Sequence, residues 1–170
     1  CIRDRSIMSE VRILTNNDLN QYITLISNDS HTYSWDKLYF QHVSPNYLKH
    51  ILSKEEEYCN IFGNFKNEKL VAGVTLRQLK QVGTQHKAML ENLFLKDKKD
   101  EITLQNLICE VINYAKSRHI EKLMTCITSN HIGAKIFFTA LGFETLGIEK
   151  NSFKVDDTYF DVHWLLYDIK

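Results

Sequence analysis

Apolar and polar positions change period several times along the chain, and each change marks an element. Residues 11–14 alternate as a short strand. Thr15-Asn-Asn-Asp18 then offers capping side chains ahead of Leu19, Tyr22, Ile23 and Ile26, which recur at helical spacing. Pro45 opens a second helix that runs to Leu52. Residues 58–65 and 70–79 read as strands joined by the polar turn Lys66-Asn-Glu-Lys69. A third strand, 85–95, follows the turn Val82-Gly-Thr-Gln85. Leu104, Leu107, Ile108, Val111, Ile112 and Ala115 define one face of an amphipathic helix. Residues 122–128 form a short strand, 131–141 a helix stopped by Gly142, and 143–150 and 158–169 the closing strands around Val155-Asp-Asp-Thr158. The central strand–helix–strand stretch implies one parallel pair within an otherwise antiparallel sheet.

Composition adds limits. The chain has 170 residues, with 21 Lys plus Arg against 21 Asp plus Glu. That length suits one domain with a real core. Zero net charge argues against a binder that depends on a strongly basic surface, so nucleic acid is not expected as a partner. No run approaches the roughly 18 apolar residues of a membrane span. Cys1, Cys59, Cys109 and Cys126 show no Cys-x-x-Cys or zinc spacing, so no metal is expected. They read as buried free thiols, which suits a reducing, cytoplasmic location. Residues 1–7 precede Met8 and lack an apolar signal core; they are expected to be a leader or an added remnant, with 8–170 as a single domain.

Residues 91–145 carry a more specific constellation. A strand, a charged loop and an amphipathic helix lead into Ala115-Lys-Ser-Arg-His-Ile-Glu-Lys-Leu. A further strand is followed by Ser129-Asn130, Ala134, and Leu141-Gly-Phe143. This order resembles the core of the GNAT family of acyl-coenzyme A N-acyltransferases, whose pattern is Asn-x-x-x-Ala-x-x-x-Tyr-x-x-x-Gly-Phe. The tail Lys154-Val-Asp-Asp-Thr-Tyr-Phe-Asp161 is similar to the family's closing hairpin, so the resemblance covers about residues 10–169. It implies a mixed α/β fold: a mostly antiparallel sheet with a splayed parallel strand pair, flanked by helices.

The resemblance also implies a chemistry. An acetyl group moves from acetyl-CoA to a primary amine of a small molecule or a protein, by direct attack in a ternary complex. Backbone groups near Leu93, Phe94 and Leu95 are expected to bond the pantetheine amides. The pyrophosphate is expected along Lys98, Lys99, Asp100, Glu101, Ile102, Thr103 and Leu104, at the start of the following helix. Asn130, Ala134, Phe137 and Phe138 complete the expected cofactor contacts. Trp35, Tyr39 and Asp161 are candidates for the acceptor side, with core, lid or ladder packing as their other reading.

Two departures matter. The loop 96–104 has no glycine, and three bases there face three acids. It reads either as a working phosphate loop or as a charged loop whose helix is capped by Asp100 or Glu101. Phe138 stands where the family commonly has a Tyr that can protonate the departing thiolate. Glu91 is the candidate general base, its other reading a salt-bridged strand residue; by alternation it shares a face with Met89 and Leu93. Asn130 reads as a cofactor contact or a helix N-cap. An active N-acetyltransferase and a catalytically silent GNAT-fold domain that binds a ligand or partner are both open. A homodimer built on the final strand is compatible with the residues but not required by them.

Overall fold

The computed structural model describes residues 9–27, 32–34, 36 and 39–169. The expectations for residues 1–7 and for Trp35 lie outside the described residues. Seven strands form one sheet in the order β1-β2-β3-β4-β5-β7-β6. They are β1 (Glu10–Ile13), β2 (Cys59–Lys66), β3 (Lys69–Gln78), β4 (Lys87–Leu95), β5 (Lys122–Thr128), β6 (Glu144–Val155) and β7 (Thr158–Asp168). Every neighbouring pair is antiparallel except β4–β5. The helices are α1 (Leu19–Ser27), α2 (Tyr39–His42), α3 (Pro45–Leu52), α4 (Glu101–Ser117) and α5 (Ile132–Leu141).

The two faces of the sheet carry separate cores. On one face, Leu104, Leu107, Ile108, Val111, Ile112 and Ala115 of α4 meet Phe62, Val74, Leu93 and Leu123. On the other, Tyr22, Leu25 and Ile26 of α1 and Leu48, Ile51 and Leu52 of α3 meet Ile61, Phe65 and Phe94. Helices on both faces explain why β2, β3 and β4 are buried along most of their length.

Local chemistry sets the element ends. The Arg12 guanidinium grips both oxygens of the buried Asp18 carboxylate, at 2.8 and 2.9 Å, and Asp18 Oδ2 also accepts the Thr15 N–H at 2.8 Å. Ser44 Oγ accepts the N–H groups of Asn46 and Tyr47, with Pro45 just inside α3. Gly142 takes φ 109° at the end of α5, a left-handed stop open to glycine. β6 runs five residues past its expected end because Asn151, at φ 52°, makes a bulge that lets pairing with β7 resume at Phe153. Gln85 lies in the turn before β4 rather than in the strand: Thr84 O accepts the Lys87 N–H at 2.9 Å.

Cys59 and Cys126 are free thiols. Cys109 is disulfide-bonded, which corrects the expectation of a free thiol there. Pairing depends on how closely two Cα atoms approach in the fold, and spacing along the chain does not report that.

Phe138 has none of its surface exposed; its ring lies edge-on to Phe137 and Phe143, at centroid distances of 5.3 and 4.9 Å.

Two stability tests follow from this packing. The hydrogen bond from Arg12 holds the Asp18 carboxyl below its ordinary value, outweighing the upward push of burial. Its contribution is complete above about pH 4 and is lost as pH falls through the folded-state value. Asp18→Asn should cost about 1–3 kcal/mol at pH 7, read from urea midpoints, and the gap to wild type should narrow at pH 3. Phe138→Tyr buries a hydroxyl among aromatic rings and should lower stability by about 1–3 kcal/mol; an unchanged midpoint would show that the ring edge reaches solvent.

Candidate active site

The site starts from a fork in the sheet. β4 and β5 pair over only three residues, Lys87↔Lys122, Ala88↔Leu123 and Met89↔Met124. Just beyond, the buried Thr125 hydroxyl donates to the Leu90 carbonyl at 3.0 Å, joining the strands through a side chain. From there β4 continues to Leu95 and β5 to Thr128 with no pairing between them.

A bulge in β4 sits at the fork. Asn92 takes φ 52°, and three steps along β4, from Glu91 to Phe94, span two along β3, from Thr75 to Gly73. The extra residue resets the alternation. Leu93 and Leu95 join Ala88 and Leu90 in the core under α4, whereas Phe94 joins the core under α1 and α3. Glu91 therefore lies on the Phe94 face, opposite Leu93, which corrects the simple alternation that put the two together.

The bulge also decides which backbone groups face the gap. The Lys96 N–H donates to Val71 O on β3 at 2.9 Å, so the groups of Leu95, one residue earlier, point to the fork side. Leu93 points there too, by alternation. Phe94 points to β3, so its backbone does not face the gap as expected. The Leu95 groups are already engaged: the Tyr33 N–H donates to Leu95 O at 2.8 Å, and the Leu95 N–H to Tyr33 O at 3.0 Å.

A cavity of about 270 Å³ opens beside this edge, lined by Tyr33, Leu95, Lys98, Glu101, Leu104, Gly133, Ala134 and Phe137. It lies between the starts of α4 and α5. Six residues expected to touch the cofactor (Leu95, Lys98, Glu101, Leu104, Ala134 and Phe137) line it. Lys99 and Ile102 are exposed and stand outside its lining. Phe138 is sealed one residue behind it. Asn130 is exposed and is neither in the lining nor the cap of α5, a position taken by His131. Burial, with Glu101 adding to it, pushes the Tyr33 phenol up to about 12, so the ring stays neutral.

The start of α4 is self-capped. Asp100 accepts the Thr103 N–H at 3.3 Å and the Thr103 hydroxyl at 2.7 Å, and is ion-paired with Lys66 of β2. Burial pushes this carboxyl up, but the bonds from Lys66 and Thr103 outweigh it and hold it below its ordinary value. Asn64 of β2 also donates to Thr103 O at 3.0 Å. The first turn is thus pinned to β2, and its negative partner is a side chain.

The opposite face of the fork is acidic. Glu91 Oε1 accepts from Arg77 Nε at 2.6 Å, a diagonal cross-strand pair. Asp36, partly buried, has its carboxyl raised by burial and then by Glu91, with His42 opposing. Burial, with Glu91 and Asp36 adding, also raises the Cys126 thiol on β5. Cys59 is pushed up to about 11, again by burial first. Tyr39 packs its ring 6.2 Å from Phe94 on this face. Asp161 is engaged within the hairpin: its Oδ1 accepts the Asn151 N–H at 2.9 Å, and its carbonyl accepts the Ser129 N–H at 2.8 Å, tying the hairpin to the end of β5. Among the described residues no group of three or more His, Cys, Asp or Glu is placed to hold a metal, and no helix is long and apolar enough to cross a membrane.

Tyr33, which the sequence grouped with Trp35 and Tyr39 on the acceptor side, instead lines the cavity and bridges Leu95, while Asp36, Arg77 and Thr125 were not expected at all. Only Arg77 left a usable signal, an opposite charge on the strand neighbouring Glu91.

A family model described as an acetyltransferase (GNAT) domain matches residues 11–164. A probable acetyltransferase from Staphylococcus epidermidis ATCC 12228 is 48% identical, with a TM-score of 0.89 over 96% of this chain and 100% of that one. An N-acetyltransferase from Staphylococcus aureus Mu50 is 38% identical, with a TM-score of 0.75 over 95% and 98%. yncA from Salmonella typhimurium, solved with its cofactor acetyl-CoA, shares the fold at 10% identity, with a TM-score of 0.75 over 95% and 94%. No curated protein matches the chain. With its fork, its bulge and a family match over nearly its whole length, the chain belongs to the GNAT acetyltransferase family.

Proposed function

We propose that this chain transfers an acetyl group from acetyl-CoA to a primary amine, by direct attack within a ternary complex. The observation that carries the reading is the fork: a parallel pair three residues long that leaves one edge of β4 facing a gap. An extended amide chain is complementary to such an edge.

The residues present fit the cofactor unevenly. The Leu93 backbone groups suit the pantetheine amides. The cavity between α4 and α5 suits the arm's passage, with Lys98 at its rim for phosphate. The α4 terminus suits phosphate less, because Asp100 already holds the Thr103 N–H. Acetyl-CoA, when bound, supplies a thioester carbonyl open to nucleophilic attack.

The chain's own groups account for the rest. Glu91 takes the proton that an ammonium acceptor must lose before it attacks. Arg77 occupies one of its oxygens and fixes the side chain, while a carboxylate retains further lone pairs for the substrate. Glu91 and Asp36 together favour a cationic amine at this mouth. The raised thiols of Cys59 and Cys126 stay protonated near neutral pH, which argues against a cysteine relay and for direct transfer. Phe138 has no proton to donate, so the departing thiolate takes its proton from water or another donor.

The self-capped α4 and the sealed Phe138 favour a second reading, a catalytically silent domain that uses the same fold to bind a ligand or partner.

Millimolar acetyl-CoA should raise the melting temperature, since a ligand that binds only the folded state stabilises it; no shift would favour the silent domain. With a responsive amine identified by thiol release across a panel, Glu91→Gln should lower kcat about 10²-fold or more. An unchanged kcat would remove Glu91 from the chemistry.

A further inference from the structure

The Leu95 backbone groups are on the gap side of β4, yet they are bonded to Tyr33. The two bonds, at 2.8 and 3.0 Å, form one antiparallel bridge outside the named strands. Tyr33 therefore occupies the position on β4 that an additional strand would take. The residues around it anchor the bridge: Thr32 and Ser34 are buried, and Ser34 Oγ accepts the Asp36 N–H at 3.0 Å. The Tyr33 side chain lines the cavity with Lys98, Glu101 and Phe137.

One backbone N–H carries one hydrogen, and an edge position pairs with one strand at a time. An amide arm lying along the gap from the cavity to Leu93 passes Leu95. It meets Tyr33 there before it reaches the bulge at Asn92.

We propose that the 32–34 segment and the pantetheine arm compete for the Leu95 edge, so that acyl-CoA binds by displacing Tyr33 from β4. This rests on the reading of the fork as the cofactor cleft. The free chain is held with its cleft edge covered, and the measured affinity is the intrinsic affinity reduced by the fraction of molecules in which Tyr33 has let go. The same displacement moves the chain leading to Asp36, three residues further on, so cofactor entry is sensed on the acidic face that receives the amine.

The test uses amide hydrogen exchange on the wild-type chain, with and without saturating coenzyme A, resolved at Tyr33 and Leu95. Coenzyme A should speed exchange at Tyr33 while Leu95 stays protected, because the arm replaces Tyr33 as its partner. Binding with unchanged Tyr33 protection overturns the competition and leaves the cofactor cleft standing, with the arm held at Leu93 alone. Tyr33→Pro removes the N–H that bonds Leu95. It should bind coenzyme A about three- to tenfold more tightly by calorimetry, the range set by one net backbone hydrogen bond. Unchanged or weaker binding by a folded Tyr33→Pro chain also overturns the proposal. Binding by the variant where wild type shows none supports it. Binding by neither overturns the cleft itself and the competition with it.

Discussion

The extra residue at Asn92 is the constraint on which the site depends. A regular β4 would continue its ladder with β5 and close the sheet. It would also place Glu91 and Leu93 on one face. The bulge breaks both relations at a single φ of 52°, a conformation that Asn tolerates better than most residues. Past it, the strand sends Leu93 and Leu95 into the core under α4 and turns their backbone toward the gap. Before it, Glu91 stays on the opposite face beside Arg77. Thr125 holds the apex, because its hydroxyl engages the Leu90 carbonyl where the ladder ends. One local irregularity thus separates the backbone edge at the gap from the face that carries Glu91 on the same strand.

The charge arrangement around the fork follows from what each element can satisfy internally. α4 begins with exposed N–H groups that need an acceptor. In a glycine-rich loop the backbone folds around an external anion; here Asp100 supplies the acceptor and pairs with Lys66, while Asn64 donates from β2 to the Thr103 carbonyl. That arrangement stabilises the helix start without a ligand, and it leaves Lys98 at the cavity rim to attract phosphate by charge. The opposite mouth has the reverse balance. Arg77 neutralises Glu91, Asp36 adds a second carboxylate, and among the described residues no Lys or Arg forms an ion pair with Asp36. In the proposed reaction, the phosphates of the cofactor and the ammonium of the acceptor would therefore approach β4 from different sides.

Much of this framework was legible in the sequence, for reasons that can be named. The α4 face was visible because six apolar residues repeat at helical period over a long window. The bounds of β5 were visible because charged and polar neighbours flank a short alternating run. A cap by Asp100 or Glu101 was legible because acids stood at the start of that helix in a loop with no glycine, but which of the two serves was not; it is Asp100. The bulge was not: Asn92 sits inside an apolar alternation, and a single Asn does not announce φ > 0. The Tyr33 bridge left no periodic trace, since an isolated pair of hydrogen bonds has no pattern to repeat. Arg77 and Glu91 lie 14 residues apart, and their pairing became visible only with the register of β3 on β4.

The position of Phe138 bears on how the proposed chemistry would proceed. In the family pattern this helix position carries a hydroxyl toward the cleft, so one residue serves both packing and proton transfer. Here the ring is enclosed by Phe137 and Phe143, and Phe137 takes the place beside the cavity. An aromatic cluster of this kind gains from burial and edge-to-face contacts and would lose by admitting a phenol without a partner. The side chain has therefore settled into a wholly structural role. In the proposed reaction the departing thiolate would take its proton from water or another donor. A thiolate is a weak base beside the alkoxides and amide anions that most hydrolases must protonate, so it leaves without a dedicated acid. The demanding proton transfer of the proposed reaction is instead at the ammonium, and that is the side of β4 on which the carboxylates stand.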